Sequence, residues 1–206
     1  MNDLFQLARQ SLAGLRVLLA MTLVLGVGYP LLVTGVAQTV VPWRADGSLV
    51  AADGSPVSDP ADAVGSALLG QPVADDRLFV PRPSAAGDGY DPLATAGSNL
   101  GPENPELLAL VRDRQQEVAR REGVGTDEVP ADAVTASASG LDPHISPAYA
   151  ALQVPRVARE TGLAEVDVRR LVARATRGRD LGVLGEPRVD VLALNGAVLT
   201  ALGEAG

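Results

Sequence analysis

Cysteine and lysine are both absent from the 206 residues, histidine occurs once, and aromatic side chains make up only 3%. Without cysteine there are no disulfides, thiolate metal sites or thiol nucleophiles. Without lysine there is no P-loop lysine, no Schiff base and no lysine-based proton transfer. A single histidine, His144, cannot build a His-clustered zinc site or a relay between histidines. All 17 basic residues are arginines, set against 25 carboxylates for a net charge of −8. No basic cluster is present, so the counterion release that drives nucleic-acid binding has no cations behind it.

Charge is missing altogether from one stretch. Between Arg16 and Arg44 lie 27 uncharged residues, VLLAMTLVLGVGYPLLVTGVAQTVVPW. About 20 helical residues cross a ~30 Å hydrocarbon core, so Val17–Val41 is long enough for one tilted span. Trp43 and Arg44 then stand where an interfacial aromatic and a snorkelling cation belong. A cleaved signal peptide, with Gly35-Val36-Ala37 as a weak processing site, is the competing reading, but its apolar region runs only about 7–15 residues. The flanks set an orientation. Arg9, Arg16 and Asp3 precede the span at net +1, whereas fifteen arginines face twenty-four carboxylates from Arg44 onward. Residues 1–16 are expected to be a short cytoplasmic N-terminus, residues 17–41 a transmembrane helix and residues 44–206 an extracytoplasmic domain, in a single-pass protein of the cell membrane. Gly26, Gly28 and Pro30 loosen that helix. The string Gly26-Val27-Gly28-Tyr29 invites comparison with a potassium filter, but one span supplies neither pore helices nor copies around an axis. These positions are candidate contacts for a neighbouring membrane helix.

The remainder reads as one α/β or α+β soluble domain behind that single N-terminal transmembrane helix. Residues 44–64 are rich in Asp, Gly, Ser and Pro and are expected to be a linker-like entry. Leu78-Phe79-Val80 is expected to form a short strand, and residues 84–105 a long loop in which Ala86 is exposed. Asn104 caps a helix with Pro105 at its first position and Gly123 as its stop. Val129–Ser139 is expected to be a strand. Ser146-Pro147 starts a second helix that Pro155 kinks or divides and Gly162 ends, and a third covers about 164–177. RVDVLAL, residues 188–194, alternates as a strand, with Asn195 capping a short C-terminal helix.

Chemistry-bearing residues crowd into TASASGLDPHISP, residues 135–147, where Ser137, Ser139, Asp142, His144 and Ser146 could suggest a Ser/His/Asp hydrolase. No G-x-S-x-G elbow exists, and triad members converge from distant segments. Asp142-Pro143 as a turn and Ser146 as a cap account for the same residues. The loop Ser98-Asn99-Leu100-Gly101 could present backbone N–H groups to a phosphate, although Gly/Asn loops are commonly plain turns.

Six ordered blocks carry a resemblance: GSALLGQ (65–71), FVPRPSA (79–85), GSNLG (97–101), TASASGLDPHISP (135–147), QVPRVA (153–158) and LGEPRVDVLALN (184–195), behind a span containing YPLL (29–32). Together the chain resembles the KdpC family, a small component of the Kdp-type potassium-transporting ATPases. Asp190 stands where the family's run would carry asparagine. The resemblance implies a non-catalytic accessory subunit with no intrinsic cofactor, needed for assembly with a channel-like potassium subunit and a P-type pump subunit. It also implies a chaperone-like role that raises the pump's affinity for ATP through a transient ternary complex. On that reading Ser98, Asn99, Leu100 and Gly101 are a candidate nucleotide or partner loop, and Gly26, Gly28, Pro30, Arg82, Ser137, Asp142 and His144 are candidate partner contacts. A membrane-anchored hydrolase using Ser139 and His144, and a free-standing periplasmic adaptor, are the competing function classes.

Overall fold

The computed structural model describes residues 2–203, with side chains from residue 4 on. Position 1 and the last three positions of the 44–206 segment lie outside the described residues, as does the Asp3 side chain counted in the charge balance. The chain divides into two compact units, Met1–Gly47 and Ser48–Gly206.

The N-terminal unit is helical. Helix α1 (Asn2–Leu23) passes through a π turn (Val24–Gly28) into α2 (Tyr29–Val40), followed by the short α3 (Pro42–Ala45). Pro30 explains the π turn. It has no N–H, and the Tyr29 N–H reaches back five residues to the Val24 carbonyl. Helix starts well before Val17, so the segment expected to precede the span is continuous with it. Leu4–Val40, 37 residues, is long and apolar enough to cross a membrane, and none of it is buried within the chain. At ~1.5 Å per residue it measures about 55 Å, longer than a hydrocarbon core.

The second unit is α+β. Residues 44–64, expected to be a linker, hold β1 (Leu49–Val50), which pairs antiparallel with β2 (Gly65–Ser66), and a 3-10 turn at Pro60–Asp62. Helix α4 (Pro105–Glu122) begins and ends as expected: Asn104 Oδ1 accepts from the Glu106 N–H, and Gly123 closes the helix at φ +73. Helix α5 (Pro147–Thr161) is capped by Ser146 and stopped by Gly162. Pro155 does not divide it, because Pro155 and Ala151, whose carbonyl loses its donor, both face solvent. Helix α6 (Glu165–Ala175) follows. A three-stranded antiparallel sheet, order β3–β5–β4, joins β3 (His144–Ile145), β5 (Arg188–Asp190) and β4 (Thr176–Arg177) in the register Ile145↔Val189 and Thr176↔Val189. Helix α7 (Val191–Leu202) closes the unit. Phe79, Ile145, Val154, Val157, Val168, Val189, Leu194 and Val198 pack one apolar core.

Three expected strands differ. Val129–Ser139 holds a 3-10 turn at Ala131–Ala133 and irregular chain. β5 stops at Asp190, whose side chain accepts from the Ala193 N–H and so starts α7 five residues earlier than expected. Aspartate and asparagine cap helices equally well, so the departure at Asp190 keeps the local geometry. Asn195 is therefore not a cap. It lies inside α7 and is buried.

Leu78–Val80 is extended, but side chains supply its ladder. Asn195 Oδ1 accepts from the Phe79 N–H at 2.8 Å, and its Nδ2 donates to the Phe79 carbonyl at 2.9 Å. Gln153 repeats the pattern one residue on, accepting from the Val80 N–H at 2.8 Å and donating to the Val80 carbonyl at 3.0 Å. Arg156 donates to the carbonyls of Asp76 and Leu78 and to Gln153 Oε1, and pairs with Glu122 of α4 at 2.9 Å. The Arg156 and Glu122 side chains are 2% and 0% exposed. Arg121 bridges Glu122 to the Tyr149 hydroxyl. Removing one member of a buried pair strands its partner, at a cost of ~3–5 kcal/mol. Arg156→Met is therefore expected to lower the melting temperature of the detergent-solubilised chain by on the order of 10 °C, read by circular dichroism. A shift of a degree or two would show that the pair does not hold this segment.

Candidate functional site

Segment 135–147 is held by three of the other sequence blocks. Gly140 sits at φ +71, and a Cβ there would lie 2.7 Å from the Cβ and N of Ala86 and from the Ala96 carbonyl. Gly70 is as tight: a Cβ would stand 2.7 Å from the Asp142 carbonyl, and its N–H donates to Leu141 O. Ser84 ties the long loop to the same place. Its hydroxyl donates to the Gly140 carbonyl at 2.7 Å and accepts from the N–H groups of Ala86 and Tyr90. Tyr90 donates its hydroxyl to the Arg82 carbonyl. Burial, with Tyr149 nearby adding to it, pushes the Tyr90 phenol up to about 12. Ala86, expected to be exposed, is consequently fully buried.

Around this scaffold the structure gathers Arg82, Ser137, Asp142 and His144. Arg82 Nη1 pairs with Asp142 Oδ2 at 3.1 Å, and Nη2 donates to the Thr135 carbonyl at 3.3 Å. Asp142 Oδ1 accepts from the His144 N–H at 3.0 Å and faces His144 Nδ1 at 3.2 Å. Ser137 Oγ lies 3.5 Å from the Asp142 N–H. Burial alone would raise the Asp142 carboxyl, but the His144 ring and N–H and Arg82 outweigh it and hold it below its ordinary range. A cavity of about 280 Å³ opens beside them, lined also by Asp132, Glu186 and Arg188. Asp132 accepts from both the N–H and the hydroxyl of Ser146.

The arrangement clamps a carboxylate between a guanidinium and an imidazole on a half-buried surface. Ser139 is not aimed at the imidazole. Ser139 Oγ accepts from the Leu141 N–H, and among the described residues no hydrogen bond joins it to His144. No group of three or more His, Asp or Glu able to hold a metal occurs among the described residues. Ser98, Asn99, Leu100 and Gly101 lie elsewhere, at the surface, with Asn99 at φ +52, and none of them lines the cavity. Gly26, Gly28 and Pro30 belong to the other unit, where a Cβ at Gly26 or Gly28 would meet nothing in the chain closer than 3.6 Å.

Sequence reasoning missed Asp132, Ser84, Gln153, Arg156 and Asn195. Gln153 and Arg156 did carry a signal: they stand three apart on the apolar face of α5, among Val154, Val157 and Ala158. Asp132 and Ser84 carried none, because their partners lie 14 and 56 positions away.

Residues 11–200 match a family described as the K+-transporting ATPase, c chain. A potassium-transporting ATPase KdpC subunit of Kineococcus radiotolerans is 52% identical over 198 residues, covering 96% of this chain and 97% of that protein. A second, from Sorangium cellulosum, is 53% identical over 189 residues, 89% of this chain and 96% of that one. A third, from Koribacter versatilis, is 48% identical over 174 residues, covering 84% and 86%.

A carboxyl held below its unfolded value contributes stability above that value and loses it as pH falls through the folded value. Asp142→Asn is therefore expected to lower the melting temperature at pH 7, with the gap to the unmodified chain closing below about pH 4. A gap that persists unchanged at pH 3 would assign the loss to packing rather than to the carboxylate's charge.

Proposed function

The chain belongs to the KdpC family of K+-transporting ATPase components, and from that premise we propose that it is the non-catalytic assembly subunit of such a complex. Its partners are a channel-like subunit that carries potassium and a P-type pump subunit that hydrolyses ATP. The match over residues 11–200, which takes in both compact units, carries the reading. Two features support a non-catalytic role. A chain without lysine cannot contain the D-K-T-G phosphorylation motif of P-type pumps, and Ser139 and His144 are not paired.

The apolar helix within Leu4–Val40 anchors the subunit, with its N-terminus in the cytoplasm and the unit from Ser48 on outside. Gly26, Gly28 and Pro30 offer that helix to a neighbouring one. No side chain of the chain itself crowds those glycines, which supports an intermolecular use. In this orientation the Arg82–Asp142–His144 surface faces a partner's extracytoplasmic side. The subunit's effect on ATP affinity is then transmitted through the complex. Direct nucleotide contact at Ser98–Gly101 would require the opposite sidedness.

Arginine near the middle of a span costs ~2.5–3.5 kcal/mol of insertion free energy. Leu25→Arg should therefore remove the chain from the membrane fraction and from complexes purified in mild detergent, where the unmodified chain brings down two large membrane proteins and potassium-stimulated ATP hydrolysis. Normal retention and assembly of that variant would refute anchoring by this helix.

Sidedness has its own measurement. The chain has no cysteine, so single cysteines at Ser55 and Leu93, both exposed, are unique labels. A membrane-impermeant maleimide is expected to label both in intact spheroplasts. Labelling only after permeabilisation would invert the orientation and return nucleotide contact at Ser98–Gly101 to consideration.

A further inference from the structure

The hairpin joining β4 to β5 is exposed from Arg177 to Pro187, and its tip carries three large apolar side chains. Leu181, Val183 and Leu184 are 89%, 73% and 57% exposed. Single apolar residues scattered over a surface need no explanation, but three within four positions at the end of a projection form a contact surface. The tip has a defined shape. Asp180 and Leu184 exchange two backbone hydrogen bonds of 2.9 Å across it. Leu181 is held at φ +54, in the left-handed region that non-glycine residues rarely adopt, so the fold presents this side chain against its backbone preference.

The charges around the tip are matched within the hairpin. Arg179 pairs with Glu186 at 2.8 Å, Arg188 with Asp180 at 3.1 Å, and Arg177 stands 3.8 Å from Asp190. Within a chain of net charge −8 this makes a neutral, apolar projection. An anionic lipid surface selects apolar residues flanked by uncompensated arginines, and each arginine here already faces a carboxylate. Burial against protein suits it better, because no uncompensated charge is desolvated. The hairpin is also continuous with the candidate site: Glu186, Pro187 and Arg188 line the same cavity as Arg82, Asp142 and His144.

We propose that the tip, Leu181 to Leu184, is an anchor that inserts into an apolar, uncharged cleft on the extracytoplasmic surface of a partner subunit of the transporter. The proposal rests on the reading of this chain as an assembly subunit. Together the tip and the Arg82–Asp142–His144 surface then form one docking face, apolar at its end and polar at its base.

The test uses the full-length chain co-expressed with the other subunits and purified in mild detergent. Leu181→Asp is expected to reduce recovery of the partners at least about tenfold, the scale of losing one buried anchor, while Leu181→Met keeps it within about twofold. The melting temperature of the Leu181→Asp chain alone should stay within about 2 °C, because the side chain packs on nothing in its own core. A cysteine at Leu181 carrying a photoreactive maleimide should crosslink to a partner subunit. Unchanged recovery with Leu181→Asp and with Val183→Asp/Leu184→Asp, while the unmodified chain assembles, overturns the proposal. Loss of flotation with phosphatidylglycerol vesicles in a Leu181→Asp chain that still assembles assigns the tip to lipid, and overturns it equally. If the unmodified chain itself recovers no partners, the assembly reading fails instead.

Discussion

An extended segment, buried at Phe79 and with no strand paired to it among the described residues, is the constraint on which the second unit depends. Peptide groups shut away from water must find partners, and both groups of Phe79 and Val80, with the carbonyls of Asp76 and Leu78, find them in side chains of two helices. Gln153 and Arg156 come from α5 and Asn195 from α7, so neither helix can shift without leaving donors and acceptors unmet. Phe79 is fully buried because its two peptide groups are satisfied in place. Arg156 carries its charge inside only because Glu122 of α4 neutralises it, which recruits a third helix to the same node. Such a network specifies one arrangement of α4, α5 and α7, where apolar contact alone would tolerate several.

The candidate site inherits its geometry from that node. Residues 79–80 are fixed by Asn195 and Gln153, and the chain that continues through Arg82 and Ser84 lands against segment 137–142. Close approach is what holds it there. Gly140 and Gly70 let two further backbones come within contact distance, and any side chain at either position would push the loop away. With both strands of chain held, Arg82 meets Asp142, and Asp142 meets His144. The product is a polar surface in which Ser139, whose hydroxyl accepts from the Leu141 N–H, closes a turn.

The two units are patterned differently. Between Val17 and Val41 nothing is charged, and the helix exposes apolar side chains all round, as a span surrounded by lipid does. From Ser48 on, the usual apolar interior returns, with charge on the surface in local ion pairs such as Arg169–Glu165 and Arg170–Asp167. Exposed pairs of this kind contribute little to stability, about 0.3–0.5 kcal/mol each. Their use is to cancel charge locally, as on the β4–β5 hairpin.

Local chemistry decided what the sequence alone determined. The uncharged run defined the apolar helix, and Asn104-Pro105, Ser146-Pro147, Gly123 and Gly162 set the ends of α4 and α5, because caps act within one turn. The six blocks were enough to identify the family, and five of them supply close backbone contacts or buried amides of the second unit. Only tertiary structure decided the rest. Leu78–Val80 has a strand's shape without a strand's partner, since whether an extended segment pairs with backbone or with amides depends on what folds beside it. Asn195 read as a cap by its neighbours and became a core residue 116 positions from its partner, because Asp190 had already started the helix. The meeting of Arg82 with Asp142 across 60 residues is likewise a consequence of long-range packing, which no local pattern encodes.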